Sequence, residues 1–340
     1  MENTIIKKAQ NYFIKVLSGM ALGLFSSLII GLIIKQMGLL LHWEFLETIG
    51  IFTQHLMSGA IGAGVAYSIG APPLAVFSSI IAGVLGAGAL RFQEGLLILS
   101  IGEPVGALVA ALAGAEMGRQ VAKLKQLEII LIPLTTIIVG GLVGHFIAPA
   151  ISSFMSGLGI FINFATTQKP FVMGILLSAV MGMVLTLPIS SAALGISLGL
   201  SGLAAGAATV GCASHMIGFA VASYRDNGFS GFISQGLGTS MLQVPNIVKK
   251  PIIALPAILT SIILGPISTL VFKMLGTPVG SGMGTSGLVG QFATLEAMGS
   301  SALVPIITMH FFLPALLSFG ISEFMRKKRL IRPGDMKLDL

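Results

Sequence analysis

Long apolar runs, each about the length of a bilayer crossing and separated by short polar breaks, dominate the chain. Phe13–Ile34 is the first, with Lys15 near enough to its end to snorkel to an interface. Further runs cover 49–70, 73–90, 96–117, 129–148 and 171–187, then a Gly/Ala-rich stretch 192–221, and finally 252–271 and 302–321. His42-Trp43-Glu44-Phe45 reads as a short interfacial segment, because the only tryptophan sits there. Residues 150–169 read as an interfacial loop or amphipathic helix. Two stretches, 228–247 and 276–300, resist assignment as simple spans. Both mix Gly, Ser, Thr and Gln with apolar residues. Non-helical backbone at membrane depth is tolerated only where protein shields it or a wet cavity lies beside it. They are therefore either re-entrant hairpins around a binding site or extramembrane loops.

Composition sharpens the class. Hydrophobic residues make up 54% of the 340 and charged residues only 9%, against about 25% charged in a soluble domain. The 44 glycines lie inside apolar runs, where small residues let helices approach closely. At ~20 residues per span there is room for about ten crossings and for no soluble domain. The net charge of +7 collects at run ends: Lys7 and Lys8; Arg119, Lys123 and Lys125; Lys249 and Lys250; Arg326 to Arg329. That is the positive-inside pattern rather than a nucleic-acid patch, and it places both termini in the cytoplasm with an even number of crossings. The first run lacks a small-residue cleavage site and reads as a retained helix. The single cysteine, Cys212, excludes an internal disulfide framework and a cysteine-based zinc site.

Ionisable residues within apolar segments are costly and so are functional candidates. Glu103 lies between Gly102 and Pro104, which would break a helix and free backbone groups for a ligand; the alternative is a protonated carboxyl bonded to a neighbouring helix. Glu296 closes the polar 276–300 stretch, where a carboxylate could accept two hydroxyl hydrogen bonds from a polyol. His215 follows Cys212-Ala213-Ser214 in an apolar segment and can both donate and accept. His55, His145 and His310 sit closer to run ends and are weaker candidates. Gln243 and Asn246, in Gln243-Val244-Pro245-Asn246, suit recognition of hydroxyls or of a helix end, while Arg225 and Asp226 read as an interfacial pair. There is no Walker-type phosphate loop, no His-Glu-x-x-His and no nucleophile elbow. No cofactor, metal site or catalytic residue is expected, and whether the chain is an enzyme at all is left open.

The run Gly236-Leu237-Gly238-Thr239-Ser240-Met241-Leu242-Gln243-Val244-Pro245-Asn246-Ile247, with Lys249-Lys250-Pro251 after it and Ser58-Gly59-Ala60-Ile61-Gly62-Ala63-Gly64 earlier, resembles the IIC membrane components of the bacterial phosphotransferase system. The branch labelled perfringolysin-regulator-like is the nearest. The resemblance implies an all-α membrane fold of about ten transmembrane helices with two re-entrant hairpins, usually homodimeric, in the bacterial plasma membrane. It implies an N-terminal half, 1–170, for dimerisation, a C-terminal half, 171–325, for substrate, and a basic cytoplasmic tail, 326–340. A histidine and a hairpin glutamate would hold the sugar, roles that fall on His215 and Glu296. Glu296 is preceded by Ala-Thr-Leu, where the family has Gly-Ile-Thr. The implied activity is inward movement of a sugar or small polar solute by alternating access. Any phosphoryl relay would lie on separate IIA and IIB proteins, and the chain would at most be the membrane component of a sugar phosphotransferase. A membrane sensor that keeps the fold, or an ion-coupled secondary transporter, are the alternatives.

Overall fold

The computed structural model describes residues 2–93, 95–124 and 127–338, so Lys125 and the last two residues of the tail lie outside it. The chain forms an all-α architecture with one small hairpin, and it divides into two compact units, 1–154 and 155–339. Helices α1 (Glu2–Leu24), α2 (Ile30–Leu41), α3 (Glu44–His55), α4 (Met57–Ser68) and α5 (Pro73–Gly86) come first. Strands β1 (Leu90–Gln93) and β2 (Leu96–Leu99) follow, then α6 (Pro104–Val121) and α7 (Glu128–Thr166). The rest comprises α8 (Pro170–Thr186), α9 (Ser191–Ser197), α10 (Gly202–Ala222), α11 (Tyr224–Ile233), α12 (Val244–Lys249), α13 (Leu255–Leu270), α14 (Val289–Met298), α15 (Leu303–Ile306) and α16 (Leu313–Lys327). Among the described residues five helical runs are long and apolar enough to cross a membrane, or six if the pair α3–α4, bent by 52°, counts as one span. Two further apolar helices, α5 and α8, are shorter. These counts do not reach the ten crossings expected from length.

The first unit packs on small residues, since lipid tails offer no hydrophobic drive between helices and close backbone approach must supply the contact. Helix α4 lies against α1, α5 and α6. A Cβ on Gly19 would stand 2.3 Å from the Gly64 carbonyl oxygen, and one on Gly62 would stand 2.0 Å from that of Ser79. The run 96–117 is not one helix. Leu96–Leu99 pairs antiparallel with Leu90–Gln93, and the helix starts only at Pro104. Gly102 has φ +76°, a conformation closed to most residues, and Pro104 fits the first helical turn but not a helix interior. In contrast, 150–169 is largely helical rather than a loop: α7 continues to Thr166 with Pro133 and Pro149 inside it.

In the second unit α10 is the axis, packed by α8, α13 and α16. Gly211 faces the Ser178 carbonyl oxygen, 2.0 Å from where a Cβ would be, and Gly265 similarly approaches that of Gly174 at 2.1 Å. The apolar core runs through Met173, Leu177 and Met181 on α8 and Ala205, Ala208 and Cys212 on α10. Hydroxyls on α10 return their hydrogens to their own helix, Thr209 to Ala205 O at 2.8 Å and Ser214 to Val210 O at 2.7 Å, which leaves no donor stranded.

Candidate functional site

His215 lies on α10 and is buried. Its Nδ1 is 2.8 Å from the Thr186 hydroxyl at the end of α8. The same hydroxyl is 3.0 Å from Gly182 O and 2.9 Å from the Ser240 hydroxyl. A hydroxyl has one hydrogen and two acceptor lone pairs. If Thr186 donates to Gly182 O, it accepts from Nδ1–H and from Ser240, and Nε2 is then a bare acceptor. Nε2 has no hydrogen-bond partner and is buried. Gly182 makes room for the ring: a Cβ there would stand 2.5 Å from His215 Cδ2. Phe219 meets the imidazole edge-on, with centroids 6.2 Å apart.

Two glycine-rich segments close on α10 at this level. The first is the wide helical turn Ser234–Gly238, followed by Thr239, whose hydroxyl accepts from the Met241 N–H at 3.1 Å. The second runs from Gly280 through Leu288. Gly284, at φ +53°, sits so close to α10 that a Cβ would be 2.6 Å from the Cys212 carbonyl carbon. The segments are laced together: Thr285 donates to Gly236 O at 2.5 Å and Ser286 to Gly238 O at 2.8 Å. Ser191 donates to Gly282 O at 2.6 Å. Irregular backbone is thus paid out to hydroxyls rather than left bare, as a membrane interior requires.

Glu296 stands on α14, which follows the second segment, and is exposed. It makes no hydrogen bond to His215, and no described residue pairs with it. Gln291, earlier on α14, bonds instead to His310 on the last helical run, Nε2 to Nδ1 at 3.0 Å, with both side chains buried. Glu103 belongs to the first unit and is the residue before α6, its N–H donating to Ala87 O at 3.0 Å.

Gln243 and Asn246 belong to a separate amide cluster. Gln235 donates to the Ser223 hydroxyl at 2.8 Å; Gln243 donates to Gln235 Oε1, and Asn246 to Gln243 Oε1, each at 2.9 Å. The remaining hydrogens go to the C-terminal segment, Gln243 to Met336 O at 2.9 Å and Asn246 to Lys337 O at 2.8 Å. Arg225 and Asp226 do not pair with each other. Arg225 meets Glu323 at 3.0 Å and Asp226 meets Arg326 at 3.7 Å, because neighbouring residues on a helix point to different sides. A cavity of about 290 Å³ beside the first pair is lined by Tyr224, Phe229, Phe232 and Phe319. Lys250 Nζ lies 2.6 Å from Asp335. Partial burial works against the ionised Asp335 carboxylate, yet the Lys250 hydrogen bond and the Arg332 N–H outweigh it and hold its pKa below the ordinary value.

Sequence reasoning found His215 but not Thr186, Ser240 or Gln291, which carry no signal beyond being polar in apolar surroundings. No group of three or more potential metal ligands occurs among the described residues. No curated protein and no solved structure matches the chain. The family described as Phosphotransferase system, EIIC matches residues 14–338, without distinguishing the perfringolysin-regulator-like branch. With that match over nearly the whole length and several apolar helices of spanning length, the chain belongs to this family, as a multi-pass membrane permease component of the sugar phosphotransferase system.

Proposed function

We propose that the chain moves a sugar inward by alternating access, taking it at a site built on His215 and the glycine-rich segments 234–240 and 280–288. The observation that carries this is the buried, unpartnered Nε2 of His215. An orphaned buried polar nitrogen costs about 1–3 kcal/mol, and a sugar hydroxyl, which can donate or accept, would relieve it in either tautomer. Glu296 on α14 supplies the acceptor-only group suited to a second hydroxyl, and its exposure leaves both oxygens open to one. Gln243 and Asn246, the amide candidates, give their hydrogens within their own cluster and to the C-terminal segment, and Glu103 belongs to the first unit, so the site rests on His215 and Glu296. Sugar phosphorylation would fall to separate IIA and IIB proteins. The basic run ends support cytoplasmic termini in a bacterial plasma membrane, and the family resemblance supports a homodimer formed through residues 1–170.

Binding and uptake of radiolabelled sugars in proteoliposomes, with and without IIA and IIB, test this. We expect uptake that depends on the phosphoryl donor and affinity lost at least tenfold in both His215→Ala and Glu296→Gln. Indifference to both substitutions would sink the site assignment. Uptake driven by a proton gradient without a phosphoryl donor would favour ion coupling, and binding with no uptake would favour a sensor.

A further inference from the structure

Residues 331–338 pack within the second unit against residues of α11, α12 and the turn before α12. They form turns, not a helix or strand, after α16 has ended at Lys327. Besides turn bonds of their own, from Asp335 N–H to Arg332 O and Lys337 N–H to Gly334 O, their backbone is held by side chains of those elements. Asp226 accepts from the N–H groups of Gly334 at 3.0 Å and Met336 at 3.3 Å. Asn227 grips the chain twice, donating to Met336 O and accepting from Leu338 N–H, both at 2.8 Å. Gln243 donates to the same Met336 carbonyl and Asn246 to that of Lys337, as described above. An amide that donates to and accepts from the main chain of one short segment is the pattern of peptide-backbone recognition, in which main-chain bonds give affinity and pockets for chosen side chains give specificity. Those pockets are present. Met336 is fully buried and Ile331 nearly so, in an apolar cluster with Phe219, Ile253 and Ala257, and Lys250 takes the Asp335 carboxylate. Lys337 and Arg332, by contrast, point outward and are exposed.

We propose that Asp226, Asn227, Gln243, Asn246 and Lys250 form a peptide-binding groove, and that the chain's own residues 331–338 are its resident and exchangeable ligand. The groove reads the main chain and selects for an apolar side chain at the Met336 position and a carboxylate just before it. The chain turns out of α16 at Arg329, which has φ +59°, while the Lys328, Arg329 and Leu330 N–H groups bond back to carbonyls of α16. Since Gln243 and Asn246 continue directly from the glycine-rich turn 234–240, the occupied groove fastens that turn through the chain Gln243–Gln235. The groove is argued from its own hydrogen bonds, and peptide binding tests it separately from sugar binding at His215.

The full chain truncated after Leu330, purified in detergent, should bind a fluorescein-labelled peptide of residues 331–338 saturably in an anisotropy titration. Met336→Asp in the peptide should abolish binding, Asn227→Ala in the protein should weaken it at least tenfold, and Lys337→Ala in the peptide should leave it unchanged. A folded truncated protein that fails to bind, or binding indifferent to Asn227→Ala and Met336→Asp, overturns the proposal. Should truncation prevent folding, hydrogen exchange on the intact chain decides. The amides of Gly334, Met336 and Leu338 should then exchange at least a hundredfold faster than those of α10, and faster again in Asn227→Ala. Exchange as slow as that of α10 would make the segment part of the core and not a ligand.

Discussion

Around His215, an imidazole and two hydroxyls bond to one another and leave one buried nitrogen open; around Gln243, three amides bond in series and hand their last hydrogens to the backbone of 336 and 337. Both clusters belong to the same unit and sit among apolar side chains. A closed network of this kind rigidifies what it joins, because every buried group has its partner. An open one keeps a cost of about 1–3 kcal/mol until something supplies the missing bond. The contrast separates a cluster whose hydrogen bonds are already taken up by the chain's own C-terminal segment from one with a bond still to be made. It also means that the amide-rich stretch most suggestive of solute recognition in the sequence already has an occupant.

The most damaging way to break the contrast is steric. A side chain at Gly182 would meet the His215 ring at 2.5 Å and the Gly211 carbonyl oxygen at 2.7 Å, and a carbonyl of a packed helix cannot yield as a side chain can. Gly182→Val should therefore push α8 from α10 and expel the imidazole. We expect destabilisation of about 1–3 kcal/mol or more, read as a lowered unfolding temperature in detergent, together with loss of sugar binding. A stable variant that binds normally would show that His215 does not work from its observed place.

How much of this was readable beforehand differs by length scale. Hydropathy found the apolar runs, but it scored Leu96–Leu99 as the start of a helix, since four exposed apolar residues in a strand are as apolar as four in a helix. The break was nonetheless legible in Gly102 and Pro104. The same blindness left 150–169 open between a loop and an amphipathic helix, and the helix is what forms, with Pro149 accommodated inside α7. His215 stood out as a lone ionisable residue, but its partners are 29 and 54 residues from each other in pairs that no local pattern announces. Nor does the tail betray its docking: Asp335, Met336 and Lys337 look like the polar end of a basic terminus until the groove residues from 226 to 250 are placed beside them.

A milder substitution sharpens the comparison instead of destroying it. Thr186→Val keeps the shape of the side chain but removes the hydroxyl shared by His215 and Ser240. Stranding those two groups should cost about 1–3 kcal/mol and weaken sugar binding, since the ring loses the bond that fixes its orientation. Ser214→Ala, one residue from His215, removes a hydroxyl whose partner is only Val210 O of its own helix. It should cost about 0.5–1.5 kcal/mol, the worth of one hydrogen bond, and leave sugar binding unchanged. Equal effects from the two would mean that the cluster around His215 is ordinary helix packing.

The smallest effect concerns charge in the closed cluster. Asp335 is ionised and paired with Lys250, and its pKa is held below the ordinary carboxylate value. A depressed carboxylate contributes stability that is fully present above its unfolded pKa and is lost as pH falls through the lower folded one. Protection of the 334–338 amides, expressed relative to the intrinsic exchange rate at each pH, should thus stay level from neutrality down to the ordinary carboxylate range and decline only below it. Because the pair is partly solvated, its share is less than about 1 kcal/mol. Asp226, which accepts from Gly334 and Met336 and faces Arg326, is a second carboxylate against the same segment. Asp335→Asn separates the two: it should lower protection slightly at neutral pH and remove part, not all, of the acid loss. If the Asn variant matches the native chain at every pH, the Lys250 contact adds nothing to docking, and the backbone grip of Asp226 and Asn227 with the buried Met336 side chain must hold the segment alone.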